Sequence, residues 1–112
     1  MHIYRAAGAP SVEPAGHYGG LVVADVVGRD VTGNFSVQLS YCPPGGGGES
    51  HHHAEDVQLF MVIEGELSFD VGTGAFTLGP RDAVTFAPGE SHATHNNSDR
   101  DSVSVVVTVR TR

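Results

Sequence analysis

Gln58-Leu59-Phe60-Met61-Val62-Ile63-Glu64-Gly65-Glu66-Leu67-Ser68-Phe69-Asp70-Val71-Gly72-Thr73-Gly74-Ala75-Phe76-Thr77-Leu78-Gly79-Pro80-Arg81-Asp82-Ala83-Val84-Thr85-Phe86 is the stretch on which the fold turns. It holds four short β-branched or aromatic runs, Gln58–Glu64, Leu67–Val71, Ala75–Leu78 and Ala83–Phe86. Gly72-Thr73-Gly74 and Gly79-Pro80-Arg81-Asp82 punctuate them as turns. Runs this short between glycine and proline read as strands. The pattern extends outward to Leu21–Val27, Phe35–Tyr41, a short run near Ser91–His95, and Val103–Arg110. Gly28-Arg29-Asp30, Gly33-Asn34, Ala87-Pro88-Gly89 and the polar Asn96–Asp101 separate these runs. No segment sustains a 3.6-residue apolar repeat with caps, so no long helix is predicted. Seven or eight short strands at this spacing predict an all-β sandwich or barrel.

Two strands carry more detail. Phe35, Val37, Leu39 and Tyr41 alternate with Ser36, Gln38 and Ser40, which predicts one buried face. Leu59 to Ile63 is apolar on both faces and predicts cover on both sides, from a second copy of the chain or from the N-terminal segment. Pro43-Pro44-Gly45-Gly46-Gly47-Gly48 is a cluster of breakers that suits neither helix nor strand. It is not a phosphate loop, because no Gly-Lys-Ser/Thr and no helix follow it.

A chain of 112 residues is expected to form one domain, 1–112, burying roughly 65% of its unfolded surface. Hydrophobic residues at 39% and charged residues at 17% give a globular balance. The net charge of −7 disfavours nucleic acid as a partner. The longest apolar run, Leu59 to Ile63, falls far short of the ~20 residues of a membrane helix. The N-terminus lacks the apolar stretch of a signal peptide, so a cytoplasmic address is expected. Cys42 is the only cysteine, which excludes an internal disulfide and a thiolate zinc cluster. Every basic residue is arginine, a bias that suits a GC-rich genome.

Histidine is the informative residue. Five of the seven fall in two windows, His51-His52-His53 and His92/His95. In an extended segment residues two apart share a side, so His51 and His53 can hold one ion while His52 faces away. Gln58, at the start of the next strand, can add an oxygen if that strand pairs beside the histidine segment, and the Pro88-Gly89 turn delivers His92. Three imidazoles and an amide oxygen, with positions open to substrate, suit a first-row transition metal: zinc first, with iron, nickel or cobalt as alternatives.

These residues resemble the cupin superfamily. Its first motif reads Gly-(x)5-His-x-His-(x)3,4-Glu-(x)6-Gly, and its second Gly-(x)5-Pro-x-Gly-(x)2-His-(x)3-Asn. His51-x-His53-(x)4-Gln58-(x)6-Gly65 matches the first, within about residues 48–65, and Gly89-(x)2-His92-(x)3-Asn96 matches the back half of the second, within about 79–96. The resemblance implies a single-domain jelly roll, commonly dimeric, with a metal in its mouth held by His51, His53 and His92. Departures are Gln58 in place of Glu, Arg81 where glycine is usual, Pro88 directly before Gly89, and a displaced glycine before His51. A neutral amide leaves the charge of the cation uncompensated, which strengthens a Lewis acid while weakening binding. It also argues against a manganese decarboxylase.

The function this implies is a metal-dependent Lewis-acid enzyme acting on an enolisable carbonyl compound. Within the superfamily, small polyketide cyclases of bacterial aromatic antibiotic pathways and uronate-linearising cupins can lack the Glu. A uronate pocket calls for converging arginines, and Arg81, Arg100 and Arg110, with the terminal Arg112, lie late in the chain at loop or terminal positions, so a hydrophobic or aromatic polyketide is the favoured substrate. The alternatives are a three-histidine iron dioxygenase, a sugar-acid isomerase, and a binding module without turnover. His95, three residues beyond His92, is expected on the opposite strand face unless a bulge makes it an extra ligand. Cys42 reads as a small buried hydrophobe, Glu55 and Asp56 as solvated charges, and Tyr41, Phe60 and Val62 as pocket or core.

Overall fold

The structure, a computed structural model, describes residues 1–111. Ten strands and one helical turn follow in chain order: β1 His17–Tyr18, β2 Val22–Val27, α1 Arg29–Thr32, β3 Phe35–Cys42, β4 Gly47–His51, β5 Asp56–Glu64, β6 Leu67–Asp70, β7 Ala75–Leu78, β8 Ala83–Phe86, β9 His92–His95 and β10 Ser102–Arg110. They form two five-stranded antiparallel sheets, β1-β4-β9-β6-β7 and β2-β3-β10-β5-β8, packed as a jelly-roll sandwich. Every predicted strand is present with its ends within two residues, because glycine and proline punctuation fixes where pairing stops.

One expectation fails. Gly47 and Gly48, placed in the breaker cluster, open strand β4. A Cβ on Gly47 would stand 2.2 Å from the Thr94 carbonyl oxygen, and one on Gly48 2.8 Å from the His17 ring. Glycine here permits close strand approach, and pairing with β1 and β9 supplies the order that local propensity lacks. Only the beginning of the cluster is a turn, closed by Gly46 N–H donating to Pro43 O at 2.9 Å.

Leu21, Val23, Cys42, Phe60, Val62, Leu67, Phe69, Phe86 and Val106 form the core between the sheets. Val62 and Phe69 are 0% and 1% exposed, and each such burial contributes roughly 1.5–3 kcal/mol. The Phe60 and Phe69 rings meet edge to face at 5.3 Å.

On β3 the alternation holds but its polarity is inverted. Ser40 and Cys42 are buried, and Gln38 and Ser40 line an internal cavity. Phe35, Val37, Leu39 and Tyr41 face outward, in register with Val109, Val107, Val105 and Val103 of β10. Leu59 and Met61 of β5 continue this outer surface beside Val107 and Val105. The N-terminal segment touches it at the β2 edge, where His2 Nε2 lies 2.8 Å from Val26 O and Tyr4 stands beside Tyr41. Toward β5 the surface stays partly open, and Ile63 is 40% exposed. The expected second cover of β5 is therefore incomplete within one chain.

Candidate functional site

His51 ends β4, His53 follows two residues later, Gln58 lies on β5 and His92 opens β9. Pairing of β4 with β9 sets His51 opposite His92, with ring centroids 4.6 Å apart. The His53 ring lies edge-on to His51 at 5.3 Å. Gln58 does not arrive by strand pairing beside the histidines, as expected; β5 lies in the opposite sheet, and packing of the two sheets brings Oε1 to 3.1 Å from His92 Nε2. All four residues singled out in the sequence thus converge at one end of the sandwich.

Backbone carbonyls orient two of the rings. His51 Nδ1 lies 2.9 Å from Glu49 O, and His92 Nδ1 lies 3.3 Å from Glu90 O. A ring donating from Nδ1 presents the Nε2 lone pair inward. Gln58 donates its amide N–H to Thr108 Oγ1 at 3.1 Å, which turns its carbonyl oxygen toward His92. On neutral His92 these two contacts compete for one proton: Nε2–H can donate to Gln58 Oε1 at 3.1 Å, or Nδ1–H to Glu90 O at 3.3 Å. A shared cation satisfies both, whereas a proton on Nε2 satisfies the pair only by giving up the Nδ1 bond. His53 Nε2 is buried with no hydrogen-bond partner, a cost that a bound cation would remove. As arranged, no three His, Cys, Asp or Glu side chains among the described residues close on a single point, so the fit is one of donor chemistry and facing.

Electrostatics agree with ligation. Burial first, then neighbouring His51, push His92 down to about 4. Burial and His51 also lower His53. Both rings are neutral at pH 7, the form in which imidazole binds a metal. Phe86 stacks on His92 at 4.0 Å and 9°, and Phe60 meets it edge-on at 5.6 Å. Asp56 is no solvated loop charge. It pairs with Arg29 at 3.1 Å and lies 4.0 Å from His53 Nδ1.

A cavity of about 450 Å³ opens beside these residues. Leu21, Val23, Phe60, Leu67 and Val106 form an apolar floor, Gln38, Ser40 and Thr94 a polar wall, and Pro14–His17 with Glu49–His53 the rim. Among the described residues that line it there is no arginine or lysine, and Glu49 is the single carboxylate.

The other candidates separate cleanly. His52 is an exposed rim residue, and His95 faces away, its Nδ1 3.0 Å from Tyr18 Oη. Phe60 lines the cavity, Val62 is core, and Tyr41 points outward. Burial pushes the Cys42 thiol up to about 11, so it is inert. Asn96 donates to Cys42 O at 2.9 Å and Arg100 O at 2.7 Å, which makes it a loop clamp. Gln38, Ser40 and His17 were missed. The two on β3 carried a signal, a regular polar face; a lone histidine in an unpatterned segment carried none.

Comparison with known proteins places this geometry. The Cupin domain family matches residues 39–109. A Mycobacterium tuberculosis protein named Beta-D-galactosidase Rv1717 is 35% identical over 109 residues, covering 95% of this chain and 91% of that protein. The chain belongs to the cupin family, whose members commonly bind a divalent metal. Among solved structures, a predicted oxalate decarboxylase from Thermotoga maritima superposes with a TM-score of 0.88 at 18% identity, covering 98% of this chain and 99% of its own. The polyketide cyclase RemF from Streptomyces resistomycificus superposes with a TM-score of 0.84 at 18% identity, covering 97% and 79%. At such identities these two establish the shared fold alone.

Proposed function

We propose that this chain is a metal-dependent cupin enzyme acting on a neutral, enolisable carbonyl compound, with cyclisation of a poly-β-ketone as the favoured reaction. His51, His53 and His92, with the Gln58 carboxamide, would hold one divalent transition ion, zinc first, with iron, nickel or cobalt as alternatives. The observation that carries the reading is the clustering of the His51, His53 and His92 rings with Gln58 Oε1, 3.1 Å from His92 Nε2, beside a cavity of ligand size that His51, His53 and Gln58 line. When bound, such an ion supplies Lewis-acid polarisation of a carbonyl oxygen. The residues of the chain do the rest. The apolar floor favours a flat, hydrophobic or aromatic skeleton, while Gln38 and Ser40 can hydrogen-bond its oxygens. Among the described residues the lining has no arginine or lysine, which disfavours a sugar acid, whose carboxylate would find no cation there.

A neutral sugar is the second reading, supported by the name of the 35%-identical relative. Hydrolysis by paired carboxylates is disfavoured, because Glu49 is the single carboxylate among the described residues that line the cavity. The same account makes the protein a cytoplasmic homodimer that joins through the apolar outer surface of β3, β10 and β5.

The test is deuterium exchange α to the carbonyl of an aryl methyl ketone, followed by NMR with zinc-loaded protein. Acceleration over buffer that disappears in His92→Ala supports the reading; exchange at the buffer rate contradicts it. Release of nitrophenol from a nitrophenyl β-D-galactoside without any ketone exchange would favour the sugar.

A further inference from the structure

We propose that His17 is a substrate-contacting residue whose Nε2 accepts a hydrogen bond from a hydroxyl or enol of the ligand, and that Tyr18 and His95 hold it in place. This rests on reading the cavity as the substrate site. His17 lines the cavity rim, with its ring 6.0 Å from that of His51. It belongs to neither histidine window. Its Nδ1 lies 2.9 Å from Ala15 O, so the proton sits there and Nε2 is left as an acceptor.

Three features fix the ring without the core's help. The two-residue strand β1 pairs with β4, setting His17 opposite Gly48 and Tyr18 opposite Gly47. The His17 edge carrying Cδ2 and Nε2 fills the space a Gly48 side chain would need, at 2.8 Å from the position of a Cβ. On the other face of the same sheet, Tyr18 Oη fills the space above Gly47 and meets His95 Nδ1 at 3.0 Å. The Gly47-Gly48 pair is thus a seat for the His17-Tyr18 dipeptide, one ring turned in and one turned out. Tyr18 and His95 are positioning residues.

Two neutral probes test this on zinc-loaded protein by NMR titration of the Leu67 and Val106 methyls. Resorcinol offers hydroxyl donors on an aromatic ring, and 1,3-dimethoxybenzene has the same ring without them. His17→Phe should weaken resorcinol about fivefold, the worth of one net hydrogen bond, and leave dimethoxybenzene unchanged. His17→Gln keeps an acceptor and should restore most of the loss. Tyr18→Phe should weaken resorcinol about twofold, with dimethoxybenzene again unchanged. Equal resorcinol affinity in wild type and His17→Phe overturns the proposal, as does wild type that binds no resorcinol. Zinc content measured on the same samples separates the two readings. Zinc at wild-type level in His17→Phe is expected, and its loss would make His17 a ligand and overturn the role proposed here. Wild-type protein without zinc would instead refute the metal site itself.

Discussion

The two faces of the β2-β3-β10-β5-β8 sheet teach opposite lessons about polarity. Its inner face mixes Gln38, Ser40, Gln58 and Ser104 with Phe60, Val62 and Val106, and it is the buried one. Its outer face presents Val37, Leu39, Val105, Val107, Leu59 and Met61, and it is partly open. In a simple sandwich the apolar set turns inward and the polar set meets water. Here the inside carries polar groups because a cavity must hold donors and acceptors, and the stability this costs is recovered by the aromatic cluster behind it. The apolar outside is the surface through which the proposed dimer would join.

The largest effect in this contrast lies on the inner face. Phe60→Ala removes the ring that touches Phe69, Phe86 and His92, and should cost ~3–5 kcal/mol in urea unfolding. A loss below about 1 kcal/mol would mean that the cluster is not what holds the sheets together.

Outside, Met61→Arg places a charge amid the outer valines, next to Val105. A dimer in light scattering should become a monomer, with little loss of secondary structure. Wild type that is monomeric at every concentration would break the comparison, leaving the outer face apolar without a partner.

Acid sharpens it in a different way. His92 titrates near 4 when folded against 6.5 when unfolded, so between these values the unfolded chain binds more protons. Stability should be full above pH 6.5 and fall as the pH drops toward 4, by at most ~1.4 kcal/mol per pH unit for one group, with His53 adding in the same direction. Urea midpoints measured in chelator would show this, and His92→Phe should flatten the slope.

The smallest effect concerns a turn. Arg81 is the one non-glycine residue with positive φ, +72°, among those described, and it stands where a glycine was expected. Arg81→Gly should therefore raise stability by ~1 kcal/mol in the same unfolding assay. An unchanged or lower midpoint would mean that the arginine side chain offsets its own backbone strain.

How much of this was legible in the sequence follows from what each signal encodes. Strand limits were readable because Gly72, Gly79 and Pro88 end pairing through backbone chemistry that neighbours cannot override. His51 and His53 were readable as neighbours from their spacing, and His92 and Gln58 only through the motif resemblance, because β9 pairing and the packing of the opposite sheet bring them close. The inversion of β3 was not, since a period of two says that Phe35 and Leu39 share a side but not which side the core lies on. Strand β4 was hidden because Gly47 and Gly48 are ordered by what packs on them, His17 and Tyr18, and not by their own preference. His17 was hidden for the same reason from the other direction: its register comes from that pairing alone.

His51, His53 and His92 with Gln58, brought together from both layers of the sandwich, are proposed to share one cation. The direct measurement is elemental analysis of the purified chain after equilibration with micromolar zinc or cobalt and desalting. The account predicts close to one ion per chain, lost in His51→Ala and His92→Ala and retained in His52→Ala and His95→Ala. A wild-type chain that emerges without metal, or a His92→Ala variant that holds as much as wild type, would contradict it.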